Sequence, residues 1–247
     1  MVRLFIFTFF ACQFIFAQDQ LSNFNTGEKL EYKVHYGIID AGKAYLEIKK
    51  SNTEQYRFKA FGKSTGLFNL FFKVRDRYES IVDKESLQPI HFYRDVREGN
   101  YKKKETVFFN YDLSQAETTR DTIALPEVTQ DILSSFYYFR SQQFDSLKIG
   151  DKIPLQIYLD DEFMETEIFF LGRDTIKTKF GHIPCKKWAP NLEMGRVFDD
   201  KQGMTIWVSD DINSVPLRVE TKVLVGSIKM DLIKYKNLSS PLKGAKP

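Results

Sequence analysis

The sequence predicts a mainly-β protein: one large curved antiparallel sheet, or an open barrel or roll, with one central helix. Three observations carry this prediction. Apolar and polar residues alternate with period two in run after run between Glu28 and Tyr235. Turn signals built on Gly, Asn and Asp separate those runs. Asp131–Gln142 is the one segment that reads as a good helix.

The first element is a leader. Met1-Val2-Arg3 supplies a positive start, Leu4 to Phe16 is apolar except for Thr8, Cys12 and Gln13, and Ala17-Gln18 closes the run. This is the pattern of a secretory signal peptide, removed after Ala17. The run is shorter than the ~18 residues a membrane span needs. A rival reading takes Cys12, preceded by Ala11, as a lipid-modified N-terminus, although Phe14-Ile15-Phe16 stays apolar where a lipoprotein turns polar. Either way the protein is expected to be exported, to the periplasm or the outer envelope. Residues 18–238 then read as a single domain, with two strand-rich halves around the helix and a flexible polar tail over 239–247.

In the first half, Leu30, Tyr32, Val34 and Tyr36 point one way and Lys29, Glu31, Lys33 and His35 the other. Gly37 to Gly42 reads as a turn, after which Ala44, Leu46 and Ile48 resume the apolar face. Tyr56, Phe58 and Ala60 repeat it, and Val74–Val82, Ile90–Val96 and Tyr101–Tyr111 read as further strands, the last two joined at Gly99-Asn100. Asp131 is placed to cap the helix. Ile132, Leu133, Phe136, Tyr137 and Phe139 wrap most of its circumference, with Ser134, Ser135 and Arg140 the exceptions, so it reads as buried or as a plug.

In the second half, Ile153–Leu159, Met164–Leu171, Asp174–Phe180 and His182–Trp188 read as strands, with a turn at Asp160-Asp161-Glu162. Met204–Val208 and Val215–Val225 follow, and Gly226-Ser227 fits a two-residue hairpin turn with glycine first. Ile228, Met230 and Leu232 alternate until Ile233 and Tyr235 change phase, which predicts a bulge near Leu232-Ile233.

Composition excludes several function classes. Loss of Arg3 takes the formal net charge from +3 to +2, too little for a nucleic-acid footprint. No later apolar run is long enough for a transmembrane helix. With Cys12 gone, Cys185 is the remaining cysteine, so no intramolecular disulfide forms, and Ile183-Pro184-Cys185 reads as a buried thiol on a strand face. His35, His91 and His182 stand apart, so no metal site is expected. The pairs Asp160-Asp161, Asp199-Asp200 and Asp210-Asp211 sit where strands end and read as turn residues. No nucleophile elbow, phosphate loop or dinucleotide fingerprint occurs, and Lys102-Lys103-Lys104 reads as a solvated strand face. The chain is expected not to be an enzyme and to need no cofactor.

Gly66–Phe72 is dense in large apolar groups beside the turn-like Ser64-Thr65-Gly66. It reads as a core element, or as an apolar lip at a cavity mouth or lipid surface. The candidate ligand-contacting residues are Leu67, Phe68, Leu70, Phe71, Phe72, Phe136 and Phe139. The expected partner is a lipid or another apolar or amphipathic ligand; the alternative is a structural or interaction module in an envelope assembly, with an envelope protein as partner.

Gly203–Asp211, Val215–Glu220 and Val225–Leu232, together with Gly27–Tyr32 and Ala41–Ala44, resemble a family of exported bacterial proteins known only as a domain of unknown function. The resemblance implies an envelope or secreted protein of a Gram-negative bacterium with a large rolled or barrel-like antiparallel sheet. It implies no activity and no catalytic residue. Trp207 and Thr205 fall opposite Met204, Ile206 and Val208, and Pro216 belongs at a strand start or edge, so these residues specify fold.

Overall fold

A computed structural model describes residues 23–142, 144, 146–191, 203–223 and 226–246. The expected cleavage after Ala17, the alternative lipid site at Cys12, the pair Asp199-Asp200 and the strand position of Val225 lie outside the described residues. The first arm of the molecule holds β1 (Lys29–Tyr36), β2 (Ile39–Lys50), β3 (Gln55–Ser64), α1 (Phe68–Phe71), β4 (Arg75–Asp83), β5 (Pro89–Glu98), β6 (Tyr101–Asn110), β7 (Gln115–Glu117) and β8 (Thr122–Ala124). β9 (Gln130–Asp131) and α2 (Ser134–Ser141) follow. The second arm holds β10 (Lys152–Leu159), β11 (Glu162–Thr178), β12 (Gly181–Pro190), β13 (Met204–Ser209), β14 (Pro216–Lys222) and β15 (Ser227–Lys236).

All fifteen strands form one open curved sheet in the order β8-β7-β6-β5-β4-β3-β2-β1-β15-β14-β13-β12-β11-β10-β9. Neighbours are antiparallel except β9 and β10. The first and last strands meet in the middle of the sheet, since β1 pairs with β2 on one side and with β15 on the other. The predicted bulge falls at Ile233, the extra residue between Glu31↔Lys234 and Tyr32↔Leu232. It re-phases β15 so that Leu232 and Tyr235 both reach the apolar cluster of Leu30 and Tyr32.

Several strand boundaries differ from the reading of the sequence, each for a local reason. The Gly37–Gly42 turn is only Gly37-Ile38, and β2 starts at Ile39 because Ala41 is absorbed as a bulge. Met164–Leu171 and Asp174–Phe180 are one strand, β11, whose alternation is broken at Leu171 by a bulge before Gly172 (φ 103°). Asp160 and Asp161 turn with positive φ at both residues, as a two-residue hairpin turn of this hand requires. The helix covers Ser134–Ser141 rather than 131–142; Asp131 caps the turn before it, its Oδ1 accepting the N–H groups of Leu133 and Ser134, each at 2.8 Å. The tail is packed rather than free: Leu242 is buried and Ser240 exchanges hydrogen bonds with Asn213.

Helix α2 sits between the arms. Tyr137 stacks on Phe58 of the first arm with ring centroids 3.8 Å apart, while Phe139 meets Trp188 of the second edge-on at 4.8 Å. Arg140, an exception on an apolar helix in sequence, is its anchor. Its guanidinium donates to both Glu28 carboxylate oxygens, at 2.6 and 3.0 Å, and to the Asn213 carbonyl, at 2.9 and 3.3 Å. The far ends of the arms meet across polar contacts. Ser80 donates to Asp131, Arg94 bridges Glu105 and Asp160, and the Tyr158 hydroxyl and Asp161 N–H both donate to Glu105. The other strand face is laced with ion pairs such as Lys29–Glu47 and Arg57–Glu79. Of the lysine run, Lys103 turns inward to Asp160 while Lys102 and Lys104 are exposed.

Candidate functional site

Side-chain volume tapers along the inner face of β2 and β3. The cross-strand pairs run Ile48↔Phe58, Leu46↔Ala60, Ala44↔Gly62 and Gly42↔Ser64. The first pair is core. The last two carry almost no side chain, and there a cavity of about 670 Å³ opens. Val34 and Tyr36 of β1 and Ile228 of β15 continue its apolar wall, and Phe68 and Phe72 close over it from the connection between β3 and β4. Ser64 and Glu98 are the polar side chains on this face; Lys43 and Lys63 also border the cavity, but alternation turns their side chains to the other face, where Lys43 pairs with Glu31.

The two glycines of the taper differ. A Cβ on Gly42 would lie 2.4 Å from the Lys63 carbonyl oxygen, so the backbones could not approach as they do. A Cβ on Gly62 would meet nothing nearer than 3.9 Å, so this glycine leaves space rather than permitting a contact.

The covering loop is fastened at its base. The Ser64 hydroxyl donates to Asn69 Oδ1 at 2.8 Å and accepts the Val74 N–H at 2.9 Å, tying the segment before α1 to the one after it. Phe68 and Phe72, four residues apart, share the helix face that looks into the cavity and touch edge-to-face at 6.3 Å. Gly99 makes room for Phe72, since a Cβ there would lie 2.9 Å from the ring. The opposite face carries Leu67, Leu70 and Phe71, which are 74, 76 and 87% exposed.

At the rim, burial lifts the Asp76 carboxyl above its ordinary range, although it accepts the Arg97 N–H at 2.9 Å. Burial and then the charge of Asp76 lift Glu98 likewise, and the two carboxyls share a hydrogen bond. The lining contains no cysteine or histidine, and the Ser64 hydroxyl is already engaged on both sides. Among the described residues no cluster of three metal-ligating side chains occurs, and no helix is long and apolar enough to cross a membrane. The arrangement is suited to holding an apolar body with a polar end near Ser64 and Glu98.

Of the residues singled out from sequence, Phe68 and Phe72 border this cavity and Leu67, Leu70 and Phe71 form the outward lip beside it. Phe136 and Phe139 do not join them: both sit on α2, packed against the core around Tyr137 and Trp188 respectively. Reading the sequence missed Gly42, Ala44 and Gly62. Their signal is the recurrence of small residues at every second position, where alternation elsewhere places large ones. Cys185 is fully buried, and burial, with Asp174 nearby, pushes its thiol up to about 11. His182, on the other face of the strand, is exposed.

A family model described as a protein of unknown function (DUF3108) matches residues 31–233. No curated protein matches the chain. Among solved structures, the fold is similar to a β-barrel-like protein of a domain of unknown function, DUF1849, from Brucella abortus. The TM-score is 0.57 at 11% identity, covering 88% of this chain and 99% of that one. Weaker likeness is found to a hypothetical protein, CT021, from Chlamydia trachomatis (TM-score 0.42, 10% identity, 92% of this chain and 95% of that one). A protein of Parabacteroides distasonis described as a candidate lipoprotein is also similar (TM-score 0.38, 12% identity, 86% and 97%).

Proposed function

Because the chain belongs to the DUF3108 family, whose description carries no activity, we propose its function from its geometry: it is an exported, non-catalytic protein that binds an apolar or amphipathic ligand in the cavity under α1. The observation that carries this reading is the taper of β2 and β3 to Ala44, Gly62 and Gly42, which leaves a space of about 670 Å³, within the ~300–1,000 Å³ usual for ligand pockets. The side chains on the inner face are apolar apart from Ser64 and Glu98, an arrangement that takes a hydrocarbon inward and leaves a polar head outward. The ion-paired outer face of the first arm is unlike the apolar belt a membrane-spanning barrel turns to lipid. Export rests on the leader, and the N-terminus of the exported protein is expected at Gln18.

The test is native mass spectrometry with lipid extraction on protein purified from the envelope, paired with titration of a fluorescent fatty-acid probe. A co-purifying lipid is expected, and Ala44→Leu with Gly62→Leu, which refills the taper, is expected to weaken probe binding at least ~10-fold with an unchanged melting temperature. A wild-type protein that binds no apolar probe, and that co-purifies instead with a stoichiometric envelope protein, would move the function to an interaction module.

A further inference from the structure

The exposed apolar side chains are unevenly placed. The turns after β1, β3, β5 and β14 all lie at one end of the sheet, because the strands between them run antiparallel in register. Of the exposed large apolar residues, Ile38, Leu67, Leu70, Phe71, Tyr101 and Ile228 sit on or beside those turns. Among the described residues few lie at the opposite end, where Leu113 and Ile212 are examples. The tip of α1 projects three of the six outward from the cavity mouth, and among the described residues nothing covers them.

The charges around this end favour an anionic surface. Asp40 is paired with Lys33 at 2.6 Å, Lys43 with Glu31 at 2.7 Å, and Asp76 shares a hydrogen bond with Glu98. Among the described residues Lys63, Lys73 and Arg75 have no carboxylate partner; Arg75 donates instead to the backbone carbonyls of Ser64 and Val74. Large apolar groups at a tip, with cations set around them, are what a protein presents when it dips into the headgroup layer of an acidic bilayer.

We propose that this end of the sheet docks on a lipid surface bearing anionic phospholipid, with Leu67, Leu70 and Phe71 inserted and Lys63, Lys73 and Arg75 against the headgroups. Docking brings the cavity mouth to the bilayer, so a lipid could pass between the two without crossing water. The inference goes beyond ligand binding and stands without it, because the docking surface is the outward face of α1 and not the cavity.

Flotation of the exported protein with vesicles of phosphatidylethanolamine and phosphatidylglycerol, against vesicles of phosphatidylcholine, tests it. The bound fraction is expected to be at least ~10-fold higher on the anionic vesicles and to fall with added salt. Leu70→Glu with Phe71→Glu should lower binding at least ~10-fold, whereas Leu113→Glu with Ile212→Glu at the other end should leave it unchanged. Phe71→Trp, which keeps the apolar tip, should show emission that shifts to the blue on the vesicles and is quenched by brominated lipid. Gly62→Leu should float like the wild type, which separates failure of the cavity from failure of docking. Wild-type protein that stays off anionic vesicles, or equal loss from both pairs of glutamates, overturns the proposal.

Discussion

Replacing Arg140 by Met tests what holds the helix inside the curved sheet. Both Arg140 and Glu28 are 1% exposed, and the guanidinium makes four hydrogen bonds, two to the carboxylate and two to the Asn213 carbonyl. Burial works against the guanidinium charge, and the Glu28 carboxylate outweighs it, holding the group above its ordinary pKa. Methionine keeps the packing under Phe24, Phe136 and Tyr137, which now face the guanidinium at 5.6, 5.7 and 5.5 Å. What is lost is the counter-charge to a buried carboxylate, a loss of ~3–5 kcal/mol. In a domain of this size each kcal/mol moves Tm by ~2–4 °C, so a fall of ~6–20 °C is expected. Adding Glu28→Gln removes the stranded charge and should recover about half of it. The remainder, ~1–3 kcal/mol, belongs to the Asn213 carbonyl, left without its donors. The exposed pair Lys29–Glu47 is the control, and Lys29→Met should change stability by less than ~1 kcal/mol. Calorimetric melting of the four proteins decides the matter. A fall under ~3 °C for Arg140→Met, or a double variant no better than the single one, refutes the reasoning.

Three further expectations follow from single contacts. Burial pushes the Asp131 carboxyl up to about 6 despite donors from Ser80, Leu133 and Ser134, so the folded state holds this proton more tightly than the unfolded chain does. Its contribution is therefore full below pH ~4 and is lost as pH rises to about 6, by roughly 3 kcal/mol; Asp131→Asn should flatten that part of the stability curve in denaturant titrations and match or exceed the wild type at pH 7. Gly42→Ala should destabilise by ~1–3 kcal/mol through its clash with the Lys63 carbonyl, whereas Gly62→Ala should be neutral or slightly stabilising, by urea unfolding. Cys185 should react with a thiol reagent only on unfolding, and modification at the same rate in native and denatured protein would contradict its burial.

Alternation revealed the long strands because each has one wet and one dry face, and even the slip at Ile233 was visible as a change of phase. Strands of two or three residues, β7, β8 and β9, are too short for the alternation to repeat and left no trace. The bulge at Leu171 split β11 in two for the same reason, since pattern reading resets where the phase breaks. The lip was legible because five large apolar residues beside a turn are unusual. The cavity behind it was not, because Gly42, Ala44 and Gly62 register as weak strand residues until their cross-strand partners are known. Phe136 and Phe139 were grouped with the lip on bulk alone; which way a helical residue looks depends on what the two arms place around it. Arg140 stands out in the sequence only as an exception on an apolar helix; its partner becomes visible when the fold brings Glu28 to it.

The seam between β1 and β15 has a consequence for how the molecule is made. His35 and Asp231 face each other there although 196 positions separate them in the chain. During synthesis the first hairpins can zip as they emerge, but β1 keeps one bare hydrogen-bonding flank until β15 has been made. A nascent chain in that state is a template for its own neighbours, and a product cut short before Ser227 would remain one permanently. The ten residues of β15 thus close the seam: their arrival joins two half-ribbons, each with a bare edge, into one sheet.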